Sequence, residues 1–171
     1  MIIRRYNPAA DFDVLRGWIA DARAHALWCA NRMAYPLERA NFEAVLRDIA
    51  GRFGDMPYVA VAEGGGVVGF FCYSLNPDTR EGMLKFVVID PARRGQGLGK
   101  AMLRLALARA FNAGAKAVQL YVFPENVGAV KCYEGVGFSA RRTEPGVFRY
   151  LNEAWDRRNM VRAKPDDPEE K

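Results

Sequence analysis

The chain has 171 residues, of which 50% are apolar, and a formal net charge of +5. This length suits one domain with a single core, and the composition is that of a globular protein rather than a disordered or fibrous one. No apolar run approaches the ~20 residues of a membrane span, and the N-terminal segment lacks the apolar stretch of a signal peptide. The basic excess is mild and its cations are not interleaved with aromatic residues, so we expect neither a membrane nor a nucleic acid as partner.

Three cysteines, Cys29, Cys72 and Cys132, are scattered along the chain. Their odd number argues against a disulfide framework, and their spacing does not match that of metal ligands. We therefore expect buried, reduced thiols, no bound metal and a cytoplasmic protein.

The predicted elements of the first half are a strand at Ile2–Tyr6, a helix that starts near Asp11, an ambiguous segment at Arg23–Tyr35, a helix at Leu37–Phe53, and strands at Tyr58–Glu63, Val67–Leu75 and Met83–Asp90. Apolar residues at spacings of three and four, from Phe12 through Ile19 to Ala22, predict the first helix. The glycine run 64–66 joins two of the strands and is typical of a hairpin.

The predicted elements of the second half are a helix at Gly97–Ala113, a strand at Ala117–Val122, a short helix at Val127–Gly135, and closing strands at Phe138–Arg142 and Val147–Arg162 around a turn at Glu144–Gly146. Antiparallel hairpins followed by a strand–helix–strand unit predict an α+β or mixed α/β fold, with residues 1–163 in a single domain. The charged, proline-bearing segment 164–171 is predicted to be a disordered tail.

The most informative segment is the junction between the fourth strand and the long helix. The apolar run Leu84–Ile89 stops at Asp90-Pro91, and the basic, glycine-rich segment Arg93–Gly99 precedes the helix. Closely spaced glycines let successive backbone N–H groups point into one concavity, where the helix N-terminus adds a partial positive charge. The loop therefore predicts a ligand that carries a diphosphate.

Two nucleotide-binding loops were compared with this segment, and neither matches. The phosphate loop of nucleotide triphosphatases needs Ser or Thr after Gly-Lys, and this chain has Ala101 there. The dinucleotide fingerprint Gly-x-Gly-x-x-Gly needs a third glycine where this chain has Lys100. A nucleotide-binding protein with a merely similar loop remains an alternative.

The segment Arg94–Gly99 (RGQGLG) resembles the acyl-CoA loop, Arg/Gln-x-x-Gly-x-Gly/Ala, of the GNAT family of N-acetyltransferases. A second segment, Asn126–Phe138, resembles that family's Asn-x-x-Ala-x-x-x-Tyr-x-x-x-Gly-Phe block at the expected spacing. The likeness is good over Met83–Phe138 and weak from Ala20 to Gly54. It implies a mostly antiparallel seven-stranded sheet, flanked by about four helices and splayed between strands four and five to admit a pantetheine arm.

The resemblance implies a CoA-dependent N-acetyltransferase that moves an acetyl group from acetyl-CoA, its co-substrate, directly to a primary amine, without a metal. The residues that it assigns to acetyl-CoA are Val87, Val88, Ile89, Arg94, Gly95, Gln96, Gly97, Leu98, Gly99, Lys100 and Asn126. An acetyl-CoA-binding sensor or regulatory module without transfer activity is the alternative, because Tyr121 stands where some family members carry a strand-five Glu.

Tyr133 is the candidate general acid, because it stands seven residues after Asn126, where the family's acid is usually found. A phenol is neutral at pH 7 and so carries the proton that a departing thiolate needs. The alternative is that Tyr133 only packs in the core. Asn126 is expected to hold pantetheine, to cap the helix that starts at Val127, or to do both.

The general base is harder to assign from the sequence. Glu81 lies just before the fourth strand, on the parity of Met83 and Lys85, and is the catalytic candidate; the alternative is an exposed turn carboxylate. The sole histidine, His25, is a further candidate whose alternative is a surface or satisfied core residue. A water relay, or an acceptor amine of modest pKa, would remove the need for a dedicated base.

The acceptor is expected to be a small-molecule amine or a protein N-terminus. In the family the N-terminal helices and the loop between strands six and seven shape its site; the corresponding residues here are Trp18, Trp28, Tyr35, Phe42 and the stretch Glu144–Trp155. The basic charge favours neutral or acidic acceptors over polyamines. The oligomeric state, including a homodimer, is left open.

Overall fold

The computed structural model describes residues 1–165. The strands are β1 (Ile2–Arg5), β2 (Met56–Val61), β3 (Val67–Leu75), β4 (Glu81–Ile89), β5 (Ala117–Val122), β6 (Ser139–Tyr150) and β7 (Glu153–Ala163). The helices are α1 (Pro8–Arg16), α2 (Ala22–Cys29), α3 (Arg39–Phe53), α4 (Leu98–Asn112) and α5 (Val127–Glu134), with a short 3-10 turn at Pro91–Arg93. Residues 166–171 of the predicted tail lie outside the described residues.

The seven strands form one sheet in the order β1-β2-β3-β4-β5-β7-β6. Neighbouring strands are antiparallel, apart from the parallel pair β4 and β5. The predicted mostly antiparallel, seven-stranded α+β sheet is therefore confirmed. Within residues 1–165, no helix is long and apolar enough to cross a membrane.

Strands β4 and β5 separate at the middle of the sheet, as predicted. Their pairing ends at Leu84 and Leu120, although β4 continues to Ile89. Phe86, two residues beyond the last pair, has a left-handed φ of 52° and marks a bulge against β3. A bulge bends its strand and increases its local twist, which turns the end of β4 away from β5.

Two cores cover the two faces of the sheet. One contains side chains of α4 and α5, among them Met102 and Tyr133. The other contains side chains of α1 and α3, among them Phe12 and Phe42. Leu84, Phe86 and Val88 are two residues apart and would lie on one face of a regular strand. Leu84 packs in the first core, whereas Phe86 and Val88 pack in the second, so the bulge reverses the face on which these side chains lie.

The first helix is shorter than its apolar spacing predicts. It ends at Arg16, and a second helix begins at Ala22 after Asp21 accepts a hydrogen bond from the Ala24 N–H at 2.8 Å. The prediction that Ile19 and Ala22 continue the first helix was therefore wrong. An N-cap carboxylate starts a new helix more effectively than apolar spacing extends the old one.

The last two strands form a longer hairpin than the sequence predicts. The predicted turn at Glu144–Gly146 was wrong, because this segment lies inside β6 as an irregularity of the register. Asp156 on β7 accepts a hydrogen bond from the Gly146 N–H at 3.0 Å, and the chain reverses instead at Leu151, with φ of 52°. Cross-strand aromatic pairing of Phe148 with Trp155 stabilises the extension.

Candidate active site

The glycine-rich loop turns sharply between the end of β4 and the start of α4. Gly95 and Gly97 have φ angles of +78° and +76°, in the left-handed region that glycine adopts without strain. Gly97 is the N-cap of α4, a helix of 15 residues. A Cβ built at either glycine would meet no atom within 4 Å, so both glycines border the surface and leave room for a ligand against the backbone.

The loop presents a row of backbone donors. The N–H groups of residues 95–100 make no hydrogen bond to any group within residues 1–165. Unpaired N–H groups at a helix N-terminus, together with the partial positive charge of the helix dipole, form a binding site for an anion. The arrangement fits the diphosphate that the sequence predicts.

The side chains around the loop divide into two groups. Arg94 is exposed and its guanidinium has no partner among the described residues, so this group is available to a phosphate. Leu98 packs against the core, and Gly99 lies against Cys132 of α5, whose Sγ would be 3.0 Å from an added Cβ. The Lys100 ammonium lies beside Gly135 at the end of α5 rather than over the loop.

The separation of β4 from β5 exposes backbone rather than side chains. Beyond Leu84 the edge of β4 that faces β5 has no strand partner within residues 1–165. The side chains of Val87 and Ile89 pack in one core and that of Val88 in the other. These three residues can therefore serve a ligand only through N–H and C=O groups, as an extended pantetheine arm requires. The bulge at Phe86 was missed, because no residue type signals it.

Tyr133 lies on α5 and is 6% exposed. Its ring packs edge-on against Phe138 with the ring centres 5.9 Å apart. Burial raises the pKa of the Tyr133 phenol well above its ordinary value, with a smaller contribution from Cys132. The group therefore keeps its proton throughout the neutral range. Asn126 caps α5, since its side-chain oxygen accepts a hydrogen bond from the Ala129 N–H at 3.3 Å.

Glu81 is the first residue of β4, and its carboxylate is held by two partners. It accepts hydrogen bonds from Gln119 on β5 at 2.7 Å, and from both terminal nitrogens of Arg141 on β6 at 2.7 and 3.2 Å. Glu81, Met83 and Lys85 share the parity that the sequence suggests, and all three line one cleft. Glu81 is thus a paired carboxylate of the cleft wall and not a free turn residue.

His25 is buried on α2 with 1% exposure. Its ring nitrogens lie 3.2 Å from the side-chain oxygen of Asn31 and 3.3 Å from the sulfur of Cys29, and its ring contacts Tyr35. This is the environment of a satisfied core histidine. Across residues 1–165, no group of three or more His, Cys, Asp or Glu side chains is placed to hold a metal ion.

A cleft of about 810 Å³ opens on the face of the sheet that carries α1–α3. Its walls come from α2, the end of α3, the β3–β4 turn, β4 and β5. Of the four aromatic residues that the resemblance assigns to acceptor binding, Trp28 lines this cleft, whereas Trp18 and Phe42 are buried in the adjacent core. No residue of Glu144–Trp155 lines it; Arg157, two residues farther along β7, does.

Lys85 on β4 lines this cleft and forms an ion pair with Asp55, the residue before β2. Asp55 is fully buried, and 18% of the Lys85 side chain is exposed. The Lys85 ammonium also lies 4.4 Å from the centre of the Phe53 ring. Sequence reasoning missed this pair, because the two residues are far apart in the chain and lie in unrelated elements.

Comparison with protein families supports the sequence resemblance. The model of the acetyltransferase (GNAT) family matches residues 20–138. The mycothiol acetyltransferase of Kineococcus radiotolerans is 33% identical over 124 residues, which are 70% of this chain and 40% of that protein. The chain thus spans less than half the length of the curated relatives it matches first.

Solved structures share the fold over nearly the whole chain. The spermidine N-acetyltransferase of Vibrio cholerae, in complex with CoA and spermine, has a TM-score of 0.78 at 18% identity and covers 94% of each chain. The ribosomal-protein-alanine N-acetyltransferase of Brucella melitensis has a TM-score of 0.76 at 21% identity, over 96% of this chain and 100% of that one. At these identities the likeness establishes the fold alone.

Proposed function

The chain belongs to the GNAT family of acetyltransferases, and from that premise we propose that it transfers an acetyl group from acetyl-CoA directly to a primary amine. The proposal rests on two structural features that lie next to each other, the glycine-rich loop and the gap between β4 and β5. A loop of unpaired backbone donors opens α4, and beside it β4 and β5 separate beyond Leu84. An anionic head group and an extended arm can therefore bind side by side.

The loop and β4 would hold the two parts of the co-substrate. The N–H groups of residues 95–100, with the Arg94 guanidinium, bind the diphosphate. The free edge of Val87–Ile89 pairs with the pantetheine arm, as a strand edge pairs with an extended peptide. Asn126 lies at the start of α5 and fixes that side of the opening through its cap. The Vibrio cholerae protein, which has the same fold, was solved in complex with CoA.

Two side chains would carry the proton transfers. Acetyl-CoA supplies an acetyl group that is already activated as a thioester. Tyr133 holds a proton on a buried phenol and donates it to the departing thiolate. Glu81 lines the cleft, and the lone pairs that Arg141 and Gln119 leave unused can accept the amine proton through a water.

The cleft on the opposite face of the sheet would receive the amine. Its volume of about 810 Å³ suits a small molecule. Relatives of the same fold act on spermidine and on a ribosomal protein's alanine, so the fold accepts both kinds of acceptor. We further propose a cytoplasmic location, supported by three unpaired cysteines that are buried or half-buried.

The test is an amine panel with acetyl-CoA, scored by release of the free CoA thiol and by mass spectrometry of the amine. We expect thiol release that depends on the amine, with one acetyl group gained per thiol. Binding of acetyl-CoA without amine-dependent release of the thiol would favour the sensor alternative. That alternative was raised because Tyr121 stands where some family members carry a Glu. Binding of ATP or NAD in preference to acetyl-CoA would contradict the loop assignment itself.

A further inference from the structure

Lys85 lines the cleft at the point on β4 where the opening between β4 and β5 begins. The parallel pairing ends at Leu84, and the bulge follows at Phe86. Lys85 lies between these two points and faces the cleft on the same parity as Met83 and Glu81. An acceptor that enters the cleft and reaches the opening therefore lies beside the Lys85 ammonium.

The buried carboxylate of Asp55 holds the Lys85 ammonium in place. The Asp55 carboxylate is fully buried and pairs with Lys85 through one oxygen, while its second oxygen has no hydrogen-bond partner among the described residues. The ring of Phe53, 4.4 Å from the ammonium, contacts it from another side. An ammonium carries three N–H donors, so Lys85 retains donors for a group in the cleft. A flexible lysine is thereby converted into a fixed point charge.

The remaining charges of the cleft are mostly basic. Its basic lining residues are Arg32, Arg52, Lys85 and Arg157, and its acidic ones are Asp78 and Glu81. The carboxylate of Glu81 is paired with Arg141. Among the cations, Arg52 is paired with Asp48 and Arg157 with Glu144. Arg32, by contrast, forms no ion pair with a carboxylate within residues 1–165. Among these lining residues a polyamine, whose other nitrogens are positively charged, would find only one carboxylate without an ion-pair partner, that of Asp78.

We propose that the acceptor is a primary amine that also carries a carboxylate, as a free amino acid does, and that Lys85 binds this carboxylate. The inference rests on the proposed acetyl transfer and names its substrate class. Lys85 is a specificity-determining residue. It does not contact the acetyl group, and it places the acceptor's amine at the opening by binding the acceptor's carboxylate. An amide or a cation at the same point lacks the charge that Lys85 recognises.

The experiment compares free L-amino acids with their carboxamides, and adds spermidine, in the acetyl-CoA assay. Rates are expressed per concentration of unprotonated amine, because amidation changes the pKa of the amine. A hydrogen bond to a charged group contributes enough that we expect kcat/KM to be at least about tenfold higher for the best amino acid than for its amide. Spermidine is expected to be the poorer substrate.

Two variants assign the preference to Lys85. Lys85→Gln removes the cation but leaves Asp55 buried and unpaired, so the double variant Lys85→Gln/Asp55→Asn removes both charges and keeps the site neutral. In the double variant we expect KM for the amino acid to rise about tenfold or more, with kcat/KM for the amide unchanged. Arg47→Gln removes one exposed charge from α3, outside the cleft, and is the matched control. Retention of the acetyl-CoA-induced thermal shift shows that each variant is folded.

The outcomes are distinct. A parent enzyme that acetylates amides or spermidine as well as amino acids overturns the substrate class and leaves the transferase intact. If the double variant lowers kcat/KM equally for an amino acid and for its carboxamide, Lys85 has only a structural role. A parent that binds acetyl-CoA and acetylates no amine overturns the proposed function, and the acceptor class falls with it.

Discussion

Replacement of Gly97 isolates the electrostatic part of acetyl-CoA binding. Gly97 has φ of +76°, and a Cβ there would meet no atom within 4 Å. In the free protein a side chain at this position therefore costs only backbone strain, roughly 1–2 kcal/mol, and less for Asn or Asp, which adopt the left-handed region more readily. In the complex the side chain also takes space beside the ligand, equally in the Asn and Asp variants. Gly97→Asp and Gly97→Asn have side chains of the same shape and differ by one negative charge.

The expected effect of that charge is large. A carboxylate about 4 Å from a phosphate charge is repelled by about 4 kcal/mol at an effective dielectric constant of 20. This corresponds to a Kd for acetyl-CoA that is about a thousandfold higher. The Asn variant keeps the shape of the side chain without the charge, so we expect it to bind acetyl-CoA much more tightly than the Asp variant does.

Thermal unfolding with and without acetyl-CoA measures the difference. At a ligand concentration of about 100 times the parent Kd, binding stabilises the folded protein by about 2.7 kcal/mol. For a chain of this length that is a rise in Tm of about 5–10 °C. The parent should show the full rise, Gly97→Asn part of it and Gly97→Asp none. A Gly97→Asp variant whose Tm rises as much as that of Gly97→Asn would refute the assignment of the diphosphate to this loop.

Three further predictions test single residues. Tyr133→Phe should bind acetyl-CoA normally while kcat falls about 10²-fold or more. Because burial raises the pKa of Tyr133, the parent kcat should show no loss from phenol ionisation below about pH 10. An unchanged kcat in the variant would mean that Tyr133 is only a packing residue. Glu81→Gln should slow transfer most at low pH and least at high pH, where the amine arrives deprotonated; a pH–rate profile that matches the parent's would exclude Glu81 as the base. Asn126→Ala should lower the free energy of unfolding by about 1 kcal/mol in denaturant titrations, and no change would mean that the cap contributes nothing.

The sequence was sufficient to predict the features that local chemistry determines. The glycines of the loop, the Asp-Pro end of β4 and the amphipathic helix after them can be predicted because each rests on the conformational preference of neighbouring residues. The parity of Glu81, Met83 and Lys85 follows from the two-residue period of a strand, and the structure shows it in the alternating burial along β4. The splay of the sheet came from the family resemblance and not from periodicity.

The features that were missed depend on contacts between distant segments. The bulge at Phe86 arises from the mismatch between β4 and β3, and neither strand shows it alone. The pair of Asp55 and Lys85 joins a loop before β2 to the middle of β4. The β6–β7 hairpin continues through a Pro-Gly step because Asp156 on the partner strand satisfies the Gly146 N–H. In each case tertiary pairing overrides a local signal.

Acetyl-CoA labelled with ¹³C at the acetyl carbonyl tests the central claim most directly. The parent protein is mixed with this compound and an amine that supports thiol release, and the carbonyl carbon is followed by NMR. Direct transfer predicts that the thioester signal is replaced one for one by an amide signal on the amine, and that this conversion is lost in Gly97→Asp. A label that remains in the thioester, or that appears as free acetate at a rate independent of the amine, would contradict the account.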